Sequence, residues 1–352
     1  MVKNLVVAPP QLGRISIGMT VERNGKKLPQ KTDSIRVTGN AMIAGEWIDH
    51  PAMAKLKKDE QGKVREIPVR ILFDAPDSNL QSSYSCFNTK GQQLCVGDGE
   101  SAKRREAGKV EQVVCPGPEF CSFAAANRCK LYSRFTVGID DGSYEANPTA
   151  GFVFRSTGWN SAKALTAQLG VFSASCGGKM SGFPAILKIR AKSSSMSMKS
   201  MFFYLDLAPQ GGLIEAVKAT MERRKAMEEA GVQWDQIESS VTAGLNASAF
   251  AEDGEDGSSI VQEFFSDDVV DQATGEILPA NAPAEAALSE DDVQVVKTSL
   301  GKMGRSIASL NTWLGRPEDA PLATMGVDNF TKVKGALGIK PVVSDGAMAA
   351  TA

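Results

Sequence analysis

Five of the six cysteines lie between Cys86 and Cys129, in a segment with little else to fold around. Residues 81–132 are polar, rich in glycine and short of periodic apolar runs. Such a segment buries too little apolar surface to offset the entropy lost on ordering. In a reducing compartment, a cysteine cluster of this kind more often binds metal than forms disulfides. The pattern therefore predicts a metal-stapled segment within a chain of 352 residues.

Four of these cysteines form the predicted zinc site: Cys95, Cys115, Cys121 and Cys129. Zinc favours a tetrahedron of thiolates drawn from two chain segments, and four thiolates without histidine indicate a closed, structural site. Two prolines and a glycine between Cys115 and Cys121 predict a stiff turn. Cys86 either replaces Cys95 or remains a free thiol; the glycine-rich loop after Cys95 favours Cys95. The competing interpretation is that all of them are ordinary small buried residues.

The chain has a single histidine, His50, which argues against a histidine base, a Ser-His-Asp triad or a multi-imidazole metal site. A lone histidine is usually structural. We therefore predict structural Zn²⁺ as the cofactor and no catalytic residues.

Hydrophobic periodicity predicts an α+β fold with a β-rich N-terminal body. Apolar residues alternate from Ile15 to Val21, as in a half-buried strand, whereas Trp159 to Leu169 and Gly212 to Ala230 have helical spacing. The predicted organisation is a body over 1–232 with a zinc-binding loop inserted at 86–130, an acidic disordered linker over 233–288, a helical module over 289–341 and a disordered tail over 342–352.

Charge is distributed unevenly along the chain. Residues 251–292 contain 13 Asp and Glu and no Lys or Arg, which leaves a net charge of about +11 elsewhere. Basic residues near the cysteines and near position 190 are the predicted nucleic-acid contacts: Lys103, Arg104, Arg105, Arg128, Lys130, Lys188, Arg190 and Lys192. The competing interpretation is an ordinary solvated face. The acidic segment either keeps the protein soluble or folds back onto the basic body and competes with DNA.

Near the C-terminus, apolar residues recur in steps of three and four from Val293 to Leu314 and predict one amphipathic helix. We expect 289–341 to dock a protein partner or a second copy of the chain through this stripe. The alternative is a small domain that buries the stripe against its own second helix. No window approaches 18 consecutive apolar residues and the N-terminus lacks a signal-peptide pattern, so we expect no membrane span and a cytoplasmic protein.

Several short segments together resemble the recombination directionality factor-like proteins of phages and conjugative mobile elements. They are Leu12-Gly-Arg-Ile-Ser-Ile-Gly18, Ile35-Arg-Val-Thr38, the loop Cys95–Gly99, the run of Cys115, Cys121 and Cys129, Phe154-Arg-Ser-Thr-Gly-Trp159 and Gly182–Leu187. Their order along residues 10–210 carries the resemblance. It implies a partner of the large serine integrases in excision, or more broadly a mobile-element DNA-transaction protein.

These observations together favour a zinc-stabilised, non-enzymatic accessory factor in DNA recombination that binds a recombinase, DNA or both. The alternative is a metal-dependent hydrolase or nuclease, which would need a second cluster of Asp, Glu and His that the sequence does not display. A purely structural phage or plasmid protein is a third hypothesis, favoured by self-assembly without DNA binding.

Overall fold

The computed structural model divides the chain into two compact units, Met1–Leu278 and Pro279–Ala352. It describes residues 9–23, 26–43, 46–88, 90–106, 108–193, 201–247, 250, 268–270, 277–279, 290–303, 306–314, 322 and 333. Within these residues, no helix is long and apolar enough to cross a membrane.

The first unit is built on a twelve-stranded mixed sheet. Its strands are β1 Gln11–Arg23, β2 Lys26–Ile43, β3 Glu46–Asp49, β4 Glu66–Ile71, β5 Leu80–Phe87, β6 Gln93–Gly97, β7 Ser101–Glu106, β8 Lys109–Val114, β9 Lys130–Ile139, β10 Gly151–Ser156, β11 Pro184–Ser193 and β12 Met201–Pro209. The main path runs β3-β2-β1-β10-β9-β5-β6-β7-β8, and β4 links β9 to the pair β11–β12. β1 and β10 are parallel. A separate small sheet joins β13 Asp268–Val270 to β14 Ile277–Pro279.

One face of this sheet carries the main hydrophobic core. The strand predicted around Ile15 is present as β1, and Ile15 is buried against apolar residues of β2, β9 and β10, while the side chains of residues 18–23 lie outside the described ones. Helix α5, Trp159–Ser175, covers this face with side chains spaced by three and four residues: Ala162, Leu165, Leu169 and Phe172. The ring of Phe172 stacks on Phe183 at 4.3 Å between centroids.

Four shorter helices connect the strands: α1 Ala52–Lys55, α2 Pro76–Asn79, α3 Ser122–Asn127 and α4 Ser143–Ala146. The predicted insertion at 86–130 is only partly a loop. It adds β6, β7 and β8 to the sheet and then α3 to its surface. The hydrophobic periodicity of this segment is weak because β8 is exposed along almost its whole length. A strand with no buried side shows no apolar alternation in the sequence.

Two helices complete the first unit, α6 Leu213–Glu229 and α7 Trp234–Ala247. Helix α7 lies within the range that composition assigns to a linker, yet Trp234 is buried against Leu72, Phe73 and Tyr144. The folded body therefore extends at least to residue 247. The remainder of the predicted linker, apart from Phe250 and two short strands, lies outside the described residues, as does the predicted tail over 342–352.

The second unit contains α8, Glu290–Lys302, and α9, Ile307–Trp313. The expectation of one continuous helix is wrong, because Ser306 caps a new helix through its side-chain oxygen, which accepts from the Ser309 backbone N–H at 3.2 Å. Val296, Leu300 and Leu310 form the core of this unit. Part of the apolar stripe is thus buried within the unit, and its docking to a partner stays a prediction.

Candidate metal centre and basic face

Five thiols line one small cavity in the β6–β8 region. Its volume is about 10 Å³, and its wall includes all the predicted ligands together with Cys86 and Arg104: Cys86, Cys95, Arg104, Cys115, Cys121 and Cys129. We call it the thiol cavity. It is far smaller than the several hundred Å³ of a typical small-molecule site, so it suits an ion rather than a substrate.

Two of the thiols come from neighbouring strands. Cys86 of β5 lies directly opposite Cys95 of β6, and Cys95 lies opposite Arg104 of β7. Residues that face each other across an antiparallel ladder point to the same side of the sheet. The strand pairing therefore places two sulphurs and a guanidinium in one row, and Cys86 belongs to the cluster as fully as Cys95.

Cys115 follows β8, and its backbone bonds to the turn between β6 and β7. Its backbone N–H donates to the Glu100 carbonyl at 2.9 Å. A Cβ atom at Gly97 would lie only 2.7 Å from the Cys115 sulphur. The glycine in the loop after Cys95 therefore allows this sulphur to sit against the strand, which gives the glycine-rich sequence a steric role.

The remaining two thiols bracket helix α3. Cys121 occupies its N-cap position, and Cys129 follows the residue that ends it, Arg128, which adopts the left-handed conformation at φ 53°. The Cys129 N–H closes the turn by donating to the Ala124 carbonyl at 3.2 Å. One short helix thus holds two sulphurs over the row formed by Cys86 and Cys95.

Arg104 supplies positive charge beside the thiols. Its Nη2 lies 3.8 Å from the Cys121 sulphur, and its guanidinium stacks on the Phe123 ring at 4.3 Å. A hydrogen bond with Cys129 and burial both raise the pKa of Cys86, while the same hydrogen bond lowers the pKa of Cys129. Burial raises the pKa of Cys95, against the lowering effect of Arg104.

The donor set fits a thiophilic ion, and none of its sulphurs is used in a disulfide. All six cysteines are unpaired. Among the described residues, no three or more His, Cys, Asp or Glu side chains are already arranged to hold a metal ion. The hydrogen bond between Cys86 and Cys129 occupies two of the sulphurs, so the thiols would have to reorient to form a tetrahedron. Cys176 lies apart in the main core.

The predicted nucleic-acid contacts separate into three places. Arg104 lies in the thiol cavity and Arg128 is exposed beside it. Lys188 and Arg190 lie on β11, where they pair with Glu66 at 3.0 Å and Asp206 at 3.2 Å, and Lys192 is exposed near the end of that strand. The other three residues, Lys103, Arg105 and Lys130, lie elsewhere on one face of the main sheet.

Four arginines that were not predicted as contacts lie on that same sheet face, the one opposite the main core. Arg155 of β10 is directly opposite Arg134 of β9, and Arg14 and Arg36 lie on β1 and β2 on the same side. Gln81, which is opposite Arg134, lies on the same side of β5 as Ser85. Ser85 is opposite Val96 of β6, and Val96 is opposite Lys103 of β7, so Lys103 lies on this side as well. We call this set the basic face: Arg14, Arg36, Lys103, Arg105, Lys130, Arg134 and Arg155.

Three of the unpredicted arginines stand in segments that carry the family resemblance: Arg14 in Leu12–Gly18, Arg36 in Ile35–Thr38 and Arg155 in Phe154–Trp159. Their alternation with buried apolar neighbours was the available signal. The lone histidine makes two contacts within the fold: His50 Nδ1 accepts from the Ala52 N–H at 3.1 Å, and its ring meets Phe152 edge-on.

Comparison with known proteins gives one family match. The family model described as Gp3-like, recombination directionality factor-like, matches residues 12–210, which is more than half of the chain and includes the thiol cavity and the basic face. No curated protein and no solved structure matches the chain. The extent of the family match confirms the resemblance, and the chain belongs to the recombination directionality factor-like family.

Proposed function

We propose that this chain is a non-enzymatic accessory factor in mobile-element DNA recombination, which acts by binding a recombinase, DNA or both. The observation that carries the proposal is the family match over residues 12–210, the part of the chain that forms the sheet, the thiol cavity and the basic face. The alternative of a hydrolase or nuclease has no comparable support.

One groove of the described structure brings three carboxylates together. This groove, about 690 Å³, contains Asp74, Asp235 and Glu238. Asp74 and Asp235 bind Arg224 at 2.7 and 2.6 Å, and Glu238 accepts from two backbone N–H groups at 2.9 and 3.1 Å. These carboxylates hold α6 and α7 onto the sheet, so their described contacts are those of a structural junction.

The test of this function is a recombination reaction with purified components. The chain is mixed with the large serine integrase of the same mobile element and DNA carrying the two hybrid attachment sites. We expect excision only when the chain is present. The proposal would be contradicted if an excess of the chain changed neither excision nor integration. The integrase in that experiment must be active on its integration sites.

We further propose that the thiol cavity holds one structural Zn²⁺ through Cys95, Cys115, Cys121 and Cys129, with Cys86 as the alternative ligand. Three features support this: five sulphur donors, a cavity of ion size, and Arg104 beside them to offset the charge of four thiolates. The region has only a small apolar core of its own, so metal binding would supply folding energy, about 10 kcal/mol or more.

The zinc proposal predicts about one zinc per chain in protein purified without added metal, measured by mass spectrometry. Cys129→Ser should lose the metal and expose β6–β8 to protease. Cys176→Ser is the matched control, because Cys176 lies in the main core, and it should keep the metal. The metal content of Cys86→Ser and Cys95→Ser decides which is the fourth ligand. Metal-free wild-type protein with an intact β6–β8 region would refute a structural zinc.

A further inference from the structure

The main path of the sheet ends at β8, and this edge strand is open to solvent. Among the described residues, β8 pairs with β7 alone, in a regular ladder without a bulge. Five of its six residues are exposed, including Val110 at 51% and Val114 at 79%. Proteins usually protect an edge strand with a bulge, a proline, charged residues or a very short length. At the other end of the path, β3 has only four residues, whereas β8 has six and no proline.

The two sides of β8 differ in charge. Glu111 is opposite Arg104, which lines the thiol cavity, so Lys109 and Glu111 lie on the side of the cavity. The other side carries an uncharged row of exposed residues: Val110, Gln112 and Val114. On this second side, no charged side chain of β8 opposes the approach of a further strand.

The ladder also shows which backbone groups of β8 face outward. The Cys115 N–H donates to the Glu100 carbonyl at 2.9 Å and therefore points toward β7. Backbone groups point to alternate edges of a strand from one residue to the next. The N–H and C=O groups of residues 110, 112 and 114 consequently point away from β7, and the pairing with β7 does not use them.

The strand is complementary to itself in one antiparallel register. When two copies of β8 pair about Gln112, Val110 of each copy lies opposite Val114 of the other. All three outward-facing residues then form hydrogen-bonded pairs, and each pair exchanges both of its backbone bonds. Glu111 lies opposite Val113 in this register. Pairing about Glu111 instead would place two carboxylates directly opposite each other, which destabilises a sheet.

We propose that β8 is an interface between two copies of this chain, which pair antiparallel about Gln112 and join their sheets edge to edge. Backbone hydrogen bonds supply the affinity, and the exposed valines cover each other on the uncharged side. A stable interface uses about 20–30 residues a side, so an edge of six residues gives a reversible dimer whose population rises with concentration. The proposal does not depend on the recombination function, on zinc or on docking through 289–341.

Sedimentation velocity and hydrogen exchange of the full chain, over about a hundredfold range of protein concentration, test this interface. We expect the fraction of dimer to rise with concentration. The backbone amides of residues 110, 112 and 114 should gain protection in step with it. The amides of residues 111 and 113 bond to β7 and should stay protected throughout.

A matched pair of variants tests the backbone bonds. Gln112→Pro removes an outward N–H and leaves the bonds to β7 in place, because proline is tolerated on the open side of an edge strand. It should raise the dissociation constant of the dimer at least about tenfold. Gln112→Ala makes a similar loss of side chain but keeps the N–H, and should stay within about threefold of the unmodified chain.

A charge exchange tests the register. Val110→Glu and Val114→Lys should each weaken association at least about fivefold, because each sets a charge against a valine. The double variant places a carboxylate opposite an ammonium at both ends of the pairing, and should recover to within about threefold of the unmodified chain. Val171→Glu, at a valine of α5 that is 48% exposed, is the control and should leave association unchanged.

Four outcomes would overturn the proposal. The chain stays monomeric over the whole range. The amides of residues 110, 112 and 114 are protected equally at every concentration, which makes a segment of the same chain the occupant. Gln112→Pro and Gln112→Ala dimerise equally well, which places the contact on another surface. The double charge variant associates no better than its two parents, which excludes the register about Gln112.

Discussion

Trp234 provides a quantitative test of whether α7 is part of the folded body. Its side chain is 2% exposed and packs against Leu72, Phe73 and Tyr144. Replacing a buried tryptophan by alanine loses its apolar transfer energy and leaves a cavity, at a cost of about 3–5 kcal/mol. Trp234→Ala should therefore lower the free energy of unfolding of the first unit by about that amount, measured by urea denaturation and circular dichroism.

Two control variants make this measurement decisive. Trp159→Ala makes the same chemical change at a side chain that is 51% exposed and should cost about 1 kcal/mol or less. Trp234→Phe keeps most of the packing and removes an indole N–H that has no partner among the described residues, so it should cost less than about 1.5 kcal/mol. A loss below about 1 kcal/mol for Trp234→Ala would show that α7 is not part of the folded body and belongs to the linker.

Two further predictions concern the ion pairs and the glycines. Arg224→Met leaves the buried Asp74 carboxylate without its guanidinium at 2.7 Å and should cost about 3–5 kcal/mol of unfolding free energy in urea; a cost near zero would contradict the junction role of the pair. Gly97→Ala should lower zinc content, because its Cβ takes the place of a cavity sulphur, whereas Gly170→Ala, in a helix with free space, should keep the zinc and gain about 0.5–1 kcal/mol. An unchanged zinc content in Gly97→Ala would show that the cavity accommodates the added Cβ atom.

Local pattern in the sequence was enough to predict most of the body. Alternating apolar residues marked β1, and the three- and four-residue spacing in Trp159–Leu169 marked α5. The prediction failed where overall composition was used in place of the spacing of apolar residues. Residues 234–247 are rich in small polar side chains, but Trp234, Ile237 and Val241 repeat at three and four and pack on the body. The break between α8 and α9 was also readable, from Ser306 as a helix cap.

The candidate sites depend on strand order, which sequence pattern does not reveal. The cysteines were close enough along the chain for their cluster to be anticipated, although the opposition of Cys86 and Cys95 appears only once β5 and β6 are paired. Arg14 and Arg155 are more than a hundred residues apart and become neighbours because β1 lies beside β10. An arginine within an apolar stretch carries no signal of a common face until that order is known.

The thiol cavity and the basic face use opposite sides of the same strands. On β7, Arg104 faces the thiols while Lys103 and Arg105 face the other way, since successive side chains alternate across a strand. Lys130 also lies on the basic face, but its strand β9 is fixed by the main core. If zinc organises β6–β8, its removal should release Lys103 and leave Lys130 in place.

Chelation therefore makes a differential prediction. After zinc is removed, the backbone amides of β7 around Lys103 should exchange hydrogen severalfold faster, while those of β9 around Lys130 should stay within about twofold of the untreated protein. Cys129→Ser should reproduce this pattern without a chelator, and Cys176→Ser should not. Equal increases in exchange at both strands would mean that the metal acts on the whole fold. No change at either, despite complete loss of zinc, would mean that β7 is held by its strand pairing alone and that the two sites are independent.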